Sequence, residues 1–179
     1  MTPATYSARE KLRDGRLIHF RALRPDDEAD MLAAVDQTNA ESLRRRFFVT
    51  KRKFSTEEKA FFLHVDFVNH VALVAVVDDG DQRPIVGGCR YIVTEPGKAE
   101  VAFVVIDAYQ GQGIGTMLTR HLAGVASAAG LKELVADVLP ENTAMRSVLC
   151  KCGFRPSPSA DPQVVHLILT LASPNDAAR

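Results

Sequence analysis

Period-two alternation governs the front of this chain and helical spacing the back. Over residues 17–23, LIHFRAL, positions Leu17, His19, Arg21 and Leu23 share one face and Ile18, Phe20 and Ala22 the other, which predicts a first strand. Pro25, Asp26, Asp27 and Glu28 then open a helix, because proline suits a first helical turn and acids suit its positive end. Met31, Leu32 and Val35 supply its buried stripe. A second short helix is expected over residues 40–48, with Arg44, Arg45 and Arg46 beside Phe47 and Phe48. A third is expected over residues 56–65, where Ser55 and Glu58 form a capping box and Phe61, Phe62 and Val65 turn inward. Residues 70–77, HVALVAVV, are almost wholly apolar, as in a strand covered on both faces. Residues 85–93 form the next strand, whose Gly87-Gly88 pair implies a bulge or a close backbone approach. A hairpin turn at residues 95–98 leads into an apolar strand over residues 99–106.

The spacing then changes. Ile114, Met117, Leu118, Leu122, Val125, Ala126 and Ala129 recur with helical period, and Gly130 stops them. Residues 133–138 make a further strand. A helix opened by Pro140, Glu141 and Asn142 follows, with Ala144, Met145, Val148, Leu149 and Cys152 inward, and it ends at Gly153. Pro156 and Pro158 mark a loop, and residues 164–171 make a last strand. This order predicts one α/β or α+β domain over residues 16–171. Residues 1–15 are expected as a loose, flexible arm and residues 172–179 as a disordered tail.

Composition narrows the partners. The chain has 179 residues, 46% hydrophobic and 25% charged, with 22 basic and 22 acidic side chains. That balance gives no global pull toward nucleic acid or an anionic membrane. No apolar run approaches a membrane span, and the polar start lacks the core of a signal peptide. The three cysteines, Cys89, Cys150 and Cys152, read as reduced thiols in the cytoplasm. No His, Cys and carboxylate set has metal-ligand spacing, so no metal is expected.

The candidate chemistry sits between residues 99 and 116. Gly111, Gly113 and Gly115 fall where a strand becomes a helix. Successive bare amides there make a nest for an anion, which the helix dipole favours. Thr116 adds a hydroxyl, and Glu100 holds a carboxylate near the start of the same strand. A dinucleotide fingerprint would need glycine where Thr116 stands, and a Walker A loop is absent. A purely structural glycine turn is the remaining alternative.

Gln110-Gly111-Gln112-Gly113-Ile114-Gly115 resembles the [QR]-x-x-G-x-[GA] motif of the GNAT (Gcn5-related) N-acetyltransferases. The similarity continues through the flanking strand and helix and on through residues 138–142 and 151–154, so it covers most of residues 16–171. Within the superfamily, DGRLIHFRALRPDD, SLRRRFF, NHVALVAV and AEVAFVV look like the bacterial Pat-type protein lysine acetyltransferases. The resemblance implies a mixed sheet flanked by helices, with a central strand that a bulge splays from its neighbour. It implies acetyl-CoA as acyl donor. The backbone of Val104 and Val105 would meet the pantetheine arm, the turn from Gln110 through Thr116 (with Gln112 and Ile114) would hold the pyrophosphate, and Asn142 would contact the arm or cap its helix. Glu100 matches the strand-borne base, and the Val105 N–H would meet the oxyanion. A tyrosine that many members use as proton donor is replaced by Leu149; Tyr109, Cys150 or water could substitute. His70 and Asp66 could flank the acceptor, although a structural role is the simpler reading.

The resulting expectation is an acetyl-CoA-dependent N-acetyltransferase acting on an amine, foremost a protein lysine, by direct attack in a ternary complex. A small-molecule amine acceptor and a non-catalytic acyl-CoA-binding regulatory domain are the alternatives, and a homodimer stays open.

Overall fold

The computed structural model of the chain describes residues 2–37, 55–78, 80, 83–159 and 161–172. The expected helix over residues 40–48, with its arginine run, lies outside the described residues, as does nearly all of the expected tail. Among the described residues, eight strands and four α-helices follow in the order β1 (Ser7–Lys11), β2 (Leu17–Ala22), α1 (Glu28–Asp36), α2 (Thr56–Leu63), β3 (His70–Val77), β4 (Ile85–Glu95), β5 (Lys98–Val105), α3 (Ile114–Ala128), β6 (Glu133–Val138), α4 (Thr143–Lys151), β7 (Arg155–Ser157) and β8 (Val165–Thr170). They form one mixed sheet in the order β1-β2-β3-β4-β5-β6-β8-β7. Every neighbour pair is antiparallel except β5–β6.

Two cores cover the sheet. On one face, Leu118, Leu122, Val125 and Ala126 of α3 and Leu149 of α4 pack on Phe20, Tyr91, Val101 and Leu134. The helical spacing that predicts α3 is the stripe this face buries, and Gly130, at φ 85°, ends the run. On the other face, Met31 and Ala34 of α1 and Val65 cover Ala72, Val74, Val76 and Ile85. With both faces covered, all eight residues of β3 are buried, as their apolar run requires.

Two strands lie where loop was expected. Ser7–Lys11, assigned to the loose arm, pairs with β2 from Ser7↔Arg21 to Lys11↔Leu17. Arg155–Ser157, assigned to a loop by its prolines, pairs with β8. Both are sheet edges, where short polar or Pro-containing segments pair on one side only and give weak sequence signals. Near the helices, the Ser55–Glu58 capping box forms as expected, with Glu58 N–H donating to Ser55 Oγ at 3.2 Å and Ser55 N–H to Glu58 Oε2 at 2.8 Å. Phe61 is 51% exposed, however, and Ala144 is exposed too, so neither turns inward.

The close approach at Gly87 is real. A Cβ there would lie 2.9 Å from the Val104 carbonyl oxygen. The β3–β4 register also slips beside it, from Ala75↔Gly87 to Val76↔Ile85. The β4–β5 ladder, by contrast, keeps register from Gly87↔Val105 to Val93↔Ala99, and shifts only near the hairpin. The central strand therefore splays without a slip against β4. Its opening shows on the other side, where β6 pairs only with Lys98, Ala99 and Glu100. From Val101 onward β5 and β6 diverge.

Candidate active site

The divergence of β5 and β6 leaves a cleft of about 510 Å³, a size suited to a small-molecule or cofactor site. Its walls are Glu100 through Val105 on β5, Ala136, Asp137 and Val138 on β6, the glycine turn, and Asn142, Val148 and Leu149 at α4. Strand parity decides which backbone groups face it. Ile106 N–H donates to Val86 C=O at 3.0 Å, so the even residues of β5 exchange their hydrogen bonds with β4. By this parity the Val104 N–H and C=O point toward Gly88 of β4, while Val104 also lines the cleft wall. The odd residues, Phe103 and Val105, turn their amides toward β6, which offers no partner there. The Val105 carbonyl accepts from Gln110 Nε2 at 3.0 Å, while its N–H faces the opening.

The glycine turn closes the far end. Gly111 and Gly113 hold φ 76° and 89°, a conformation that costs other residues roughly 1–2 kcal/mol. Gly113 caps α3 without any side chain, and among the described residues no acceptor meets the N–H groups of residues 111–116. Uncapped amides at the positive end of a fifteen-residue helix form a donor set for a pyrophosphate. Gln110 and Gln112 serve the turn itself. Gln110 Nε2 also donates to Asp107 Oδ1 at 3.0 Å, and Gln112 spans from Ala108 C=O to Arg16. The Ile114 side chain is buried in the core, and both Ile114 and Thr116 line the cleft.

Two basic residues here went unread in the sequence. Arg13 lines the cleft, and Arg16 lies 5.2 Å over the Tyr109 ring. Both come from the β1–β2 hairpin, more than ninety positions away along the chain. Only the pairing of β1 brings them to the turn, so no local signal marks them. Asn142 caps α4 by accepting from Met145 N–H at 3.1 Å and also lines the cleft, so its amide nitrogen is left to donate.

Glu100 is the last β5 residue to pair with β6, and its side chain is exposed at the apex of the opening. Across the sheet it is in register with Ile92 and, through Ile92, with His70. Asp66 and His70 serve the scaffold. Asp66 Oδ1 accepts from the N–H groups of Val68, Asn69 and His70, each at 2.8 Å, and these bonds hold its carboxyl below the usual range. Burial, with the Arg90 guanidinium 2.9 Å away, pushes His70 down to about 4. A neutral His70 accepts from Arg90, which also lies over the Phe62 ring and donates to the Phe62 carbonyl. Leu149 is fully buried, and Cys150 is exposed outside the cleft. Of the proposed substitutes for the missing tyrosine, Tyr109 lines the cleft.

Residues 17–155 match the family described as acetyltransferase (GNAT) domain. The chain belongs to the GNAT acetyltransferases. It is 32% identical over 161 residues to an acetyltransferase of Pseudomonas aeruginosa, covering 88% of this chain and 86% of that one. It is 32% identical over 145 residues to the acetyltransferase Pat of Mycolicibacterium smegmatis, covering 80% of this chain and 43% of Pat. The GNAT domain of S. lividans PAT has a solved structure that superposes with a TM-score of 0.86 at 33% identity, covering 92% of this chain and 97% of that one. The likeness to Pat-type proteins expected from the residues is thus found, although this chain spans less than half the length of the mycobacterial Pat.

For this acetyltransferase, the cleft, the uncapped turn and the two nearby arginines fit acetyl-CoA as the acyl donor. Gly113→Ala should weaken CoA binding about 5- to 30-fold, the equivalent of the roughly 1–2 kcal/mol left-handed cost. Gly115→Ala is the control, because its Cβ would meet only Val148 at an ordinary 3.7 Å. Calorimetric titration of CoA into both variants, with melting curves alongside, separates turn geometry from folding.

Proposed function

We propose that this GNAT enzyme acetylates the side-chain amine of protein lysines, with Glu100 as the base and direct attack in a ternary complex. The observation that carries the catalytic reading is the position of Glu100, exposed at the apex where β5 and β6 part. A lysine ammonium has a reference pKa of about 10.4, so near neutral pH it must lose a proton before it can attack. Glu100 is placed to receive that proton, directly or through water. The neutral nitrogen then attacks the thioester carbonyl, and the Val105 N–H faces the opening where the oxyanion would form. Gln110, Gly111, Gln112, Gly113, Ile114, Gly115 and Thr116 build the pyrophosphate turn, and Asn142 serves both helix and coenzyme. Residues 16–171 form the catalytic domain, with β1 completing its sheet.

The protein acceptor is supported by the likeness to Pat and by the rim of the α1/α2 face. Phe61 and Val68 are 51% and 69% exposed there, and apolar residues beside the acceptor side suit a macromolecular surface. Release of free thiol from acetyl-CoA, followed with lysine peptides, folded proteins and small amines, tests this reading. Faster release with protein or peptide lysines than with polyamines or amino acids is the expected result. Preference for a small amine refutes the protein acceptor. Tight CoA binding with no turnover on any acceptor would instead favour a regulatory role.

A further inference from the structure

Asp137 and His166 form a pair that the proposed chemistry does not use. Asp137 is on β6 and His166 directly opposite on β8. His166 Nδ1 lies 2.6 Å from Asp137 Oδ1. An ionised carboxylate only accepts, so Nδ1 carries the shared proton and holds one carboxylate oxygen in place. The second oxygen, Oδ2, has no partner among the described residues. The Asp137 side chain is 41% exposed and lines the coenzyme cleft, whereas the His166 side chain is 21% exposed behind it.

The ladder places this pair relative to Glu100. Glu100 pairs with Val135, so both side chains emerge from the same face of the sheet. Asp137 is two residues further along β6 and returns to that face. One strand spacing across and two residues along separate the backbones of Glu100 and Asp137 by about 8 Å before the strands diverge. Glu100 thus stands on the β5 wall at the apex of the cleft and Asp137 on the β6 wall two residues further along, both on the α1/α2 side.

We propose that Asp137, oriented by His166, binds the acceptor amine as its ammonium ion, across the cleft from Glu100. This rests on the reading of the chain as an amine acetyltransferase. An alkylammonium offers three N–H donors, enough to reach both walls at once. The acceptor docks as R–NH3+ and passes one proton to Glu100. Its nitrogen then bonds to the thioester carbonyl carbon as the C–S bond breaks. Sulfur leaves with that electron pair and takes a proton. The amide keeps one N–H, and one proton is released to solvent. The substrate class that follows is an aliphatic amine charged at neutral pH. Aromatic amines, neutral at that pH, are poor ligands. His166 acts through Asp137 and is a positioning residue.

Asp137→Asn tests the assignment in the full-length protein. A lost charge-assisted hydrogen bond corresponds to about a tenfold or greater rise in KM for a lysine peptide. The KM for the peptide should rise by more than the KM for acetyl-CoA. His166→Gln should raise the peptide KM in the same direction by less, and Asp137→Glu should recover part of the loss. Binding of an unacetylated lysine peptide to the CoA-loaded protein, measured by calorimetry, should weaken by the same factor in Asp137→Asn. Unchanged peptide affinity in that variant overturns the assignment. So does an equal rise in both KM values, which marks general damage to the cleft. Peptide binding that depends on Asp137 without any acetyl transfer would uphold the amine site while refuting the enzymatic reading.

Discussion

Glu100→Gln should lower kcat by about 10²- to 10⁴-fold, the usual contribution of a positioned general base. CoA affinity should stay nearly constant, because the turn proposed to hold the pyrophosphate lies at the far end of β5 from Glu100. Glutamine keeps the size of the side chain and a hydrogen-bonding oxygen but cannot take a proton. The defect should therefore depend on pH. As pH rises toward the lysine pKa of about 10.4, more acceptor is already neutral and the variant's rate should climb toward the wild type. Initial rates of thiol release from pH 6 to 10, paired with calorimetric titration of CoA, read both effects. Near-normal turnover around pH 7 would remove Glu100 from the mechanism. An equal loss at all pH values would mean that it orients groups rather than accepting a proton.

Asp27→Ala should destabilise the fold by about 3–5 kcal/mol, the cost of leaving a buried charge without its partner. Asp27 is 4% exposed and takes both guanidinium arms of Arg21, each at 2.7 Å, with a third bond of 2.7 Å from the Arg24 N–H. Removing the carboxylate strands the Arg21 guanidinium, whose side chain is 12% exposed. The pair also fixes the entry into α1, and so one wall of the acceptor face. Burial alone would raise the Asp27 pKa, but the bonds from Arg21 and Arg24 outweigh it and the carboxyl is held below its ordinary value. The unfolded chain then binds this proton more readily than the folded one. The stabilisation is complete above about pH 4, the ordinary aspartate range, and fades as pH falls through the depressed folded value. Urea unfolding at pH 7 should show the large loss. Repeating it toward pH 3 should narrow the gap between wild type and variant. A loss below 1 kcal/mol at pH 7 would show that Arg21 finds other partners.

Local pattern carried a large part of this protein. The covered strand β3, the α3 stripe ending at Gly130, the Ser55–Glu58 box and the glycine turn all follow from residues within a few positions of one another. Such features depend on backbone period, capping and positive φ, which neighbouring residues dictate. For the same reason the turn could be singled out as candidate chemistry from the chain alone, whereas Glu100 as the base is what the family resemblance implies.

What tertiary structure decided depends on pairing. Edge strands β1 and β7 exist because β2 and β8 offer them a ladder, and nothing in their polar or proline-containing sequence requires it. The Val104 amide points to β4, and those of Phe103 and Val105 point toward the cleft, because β4–β5 parity assigns alternate amides to opposite sides. Arg13 and Arg16 reach the glycine turn only through the β1–β2 hairpin, and Asp137 meets His166 only across β6 and β8. Sequence determined which segments are strands and helices and where an anion could rest. Register and strand divergence determined which groups face the cleft, because hydrogen-bond direction in a sheet is a property of the pair of strands and not of either one.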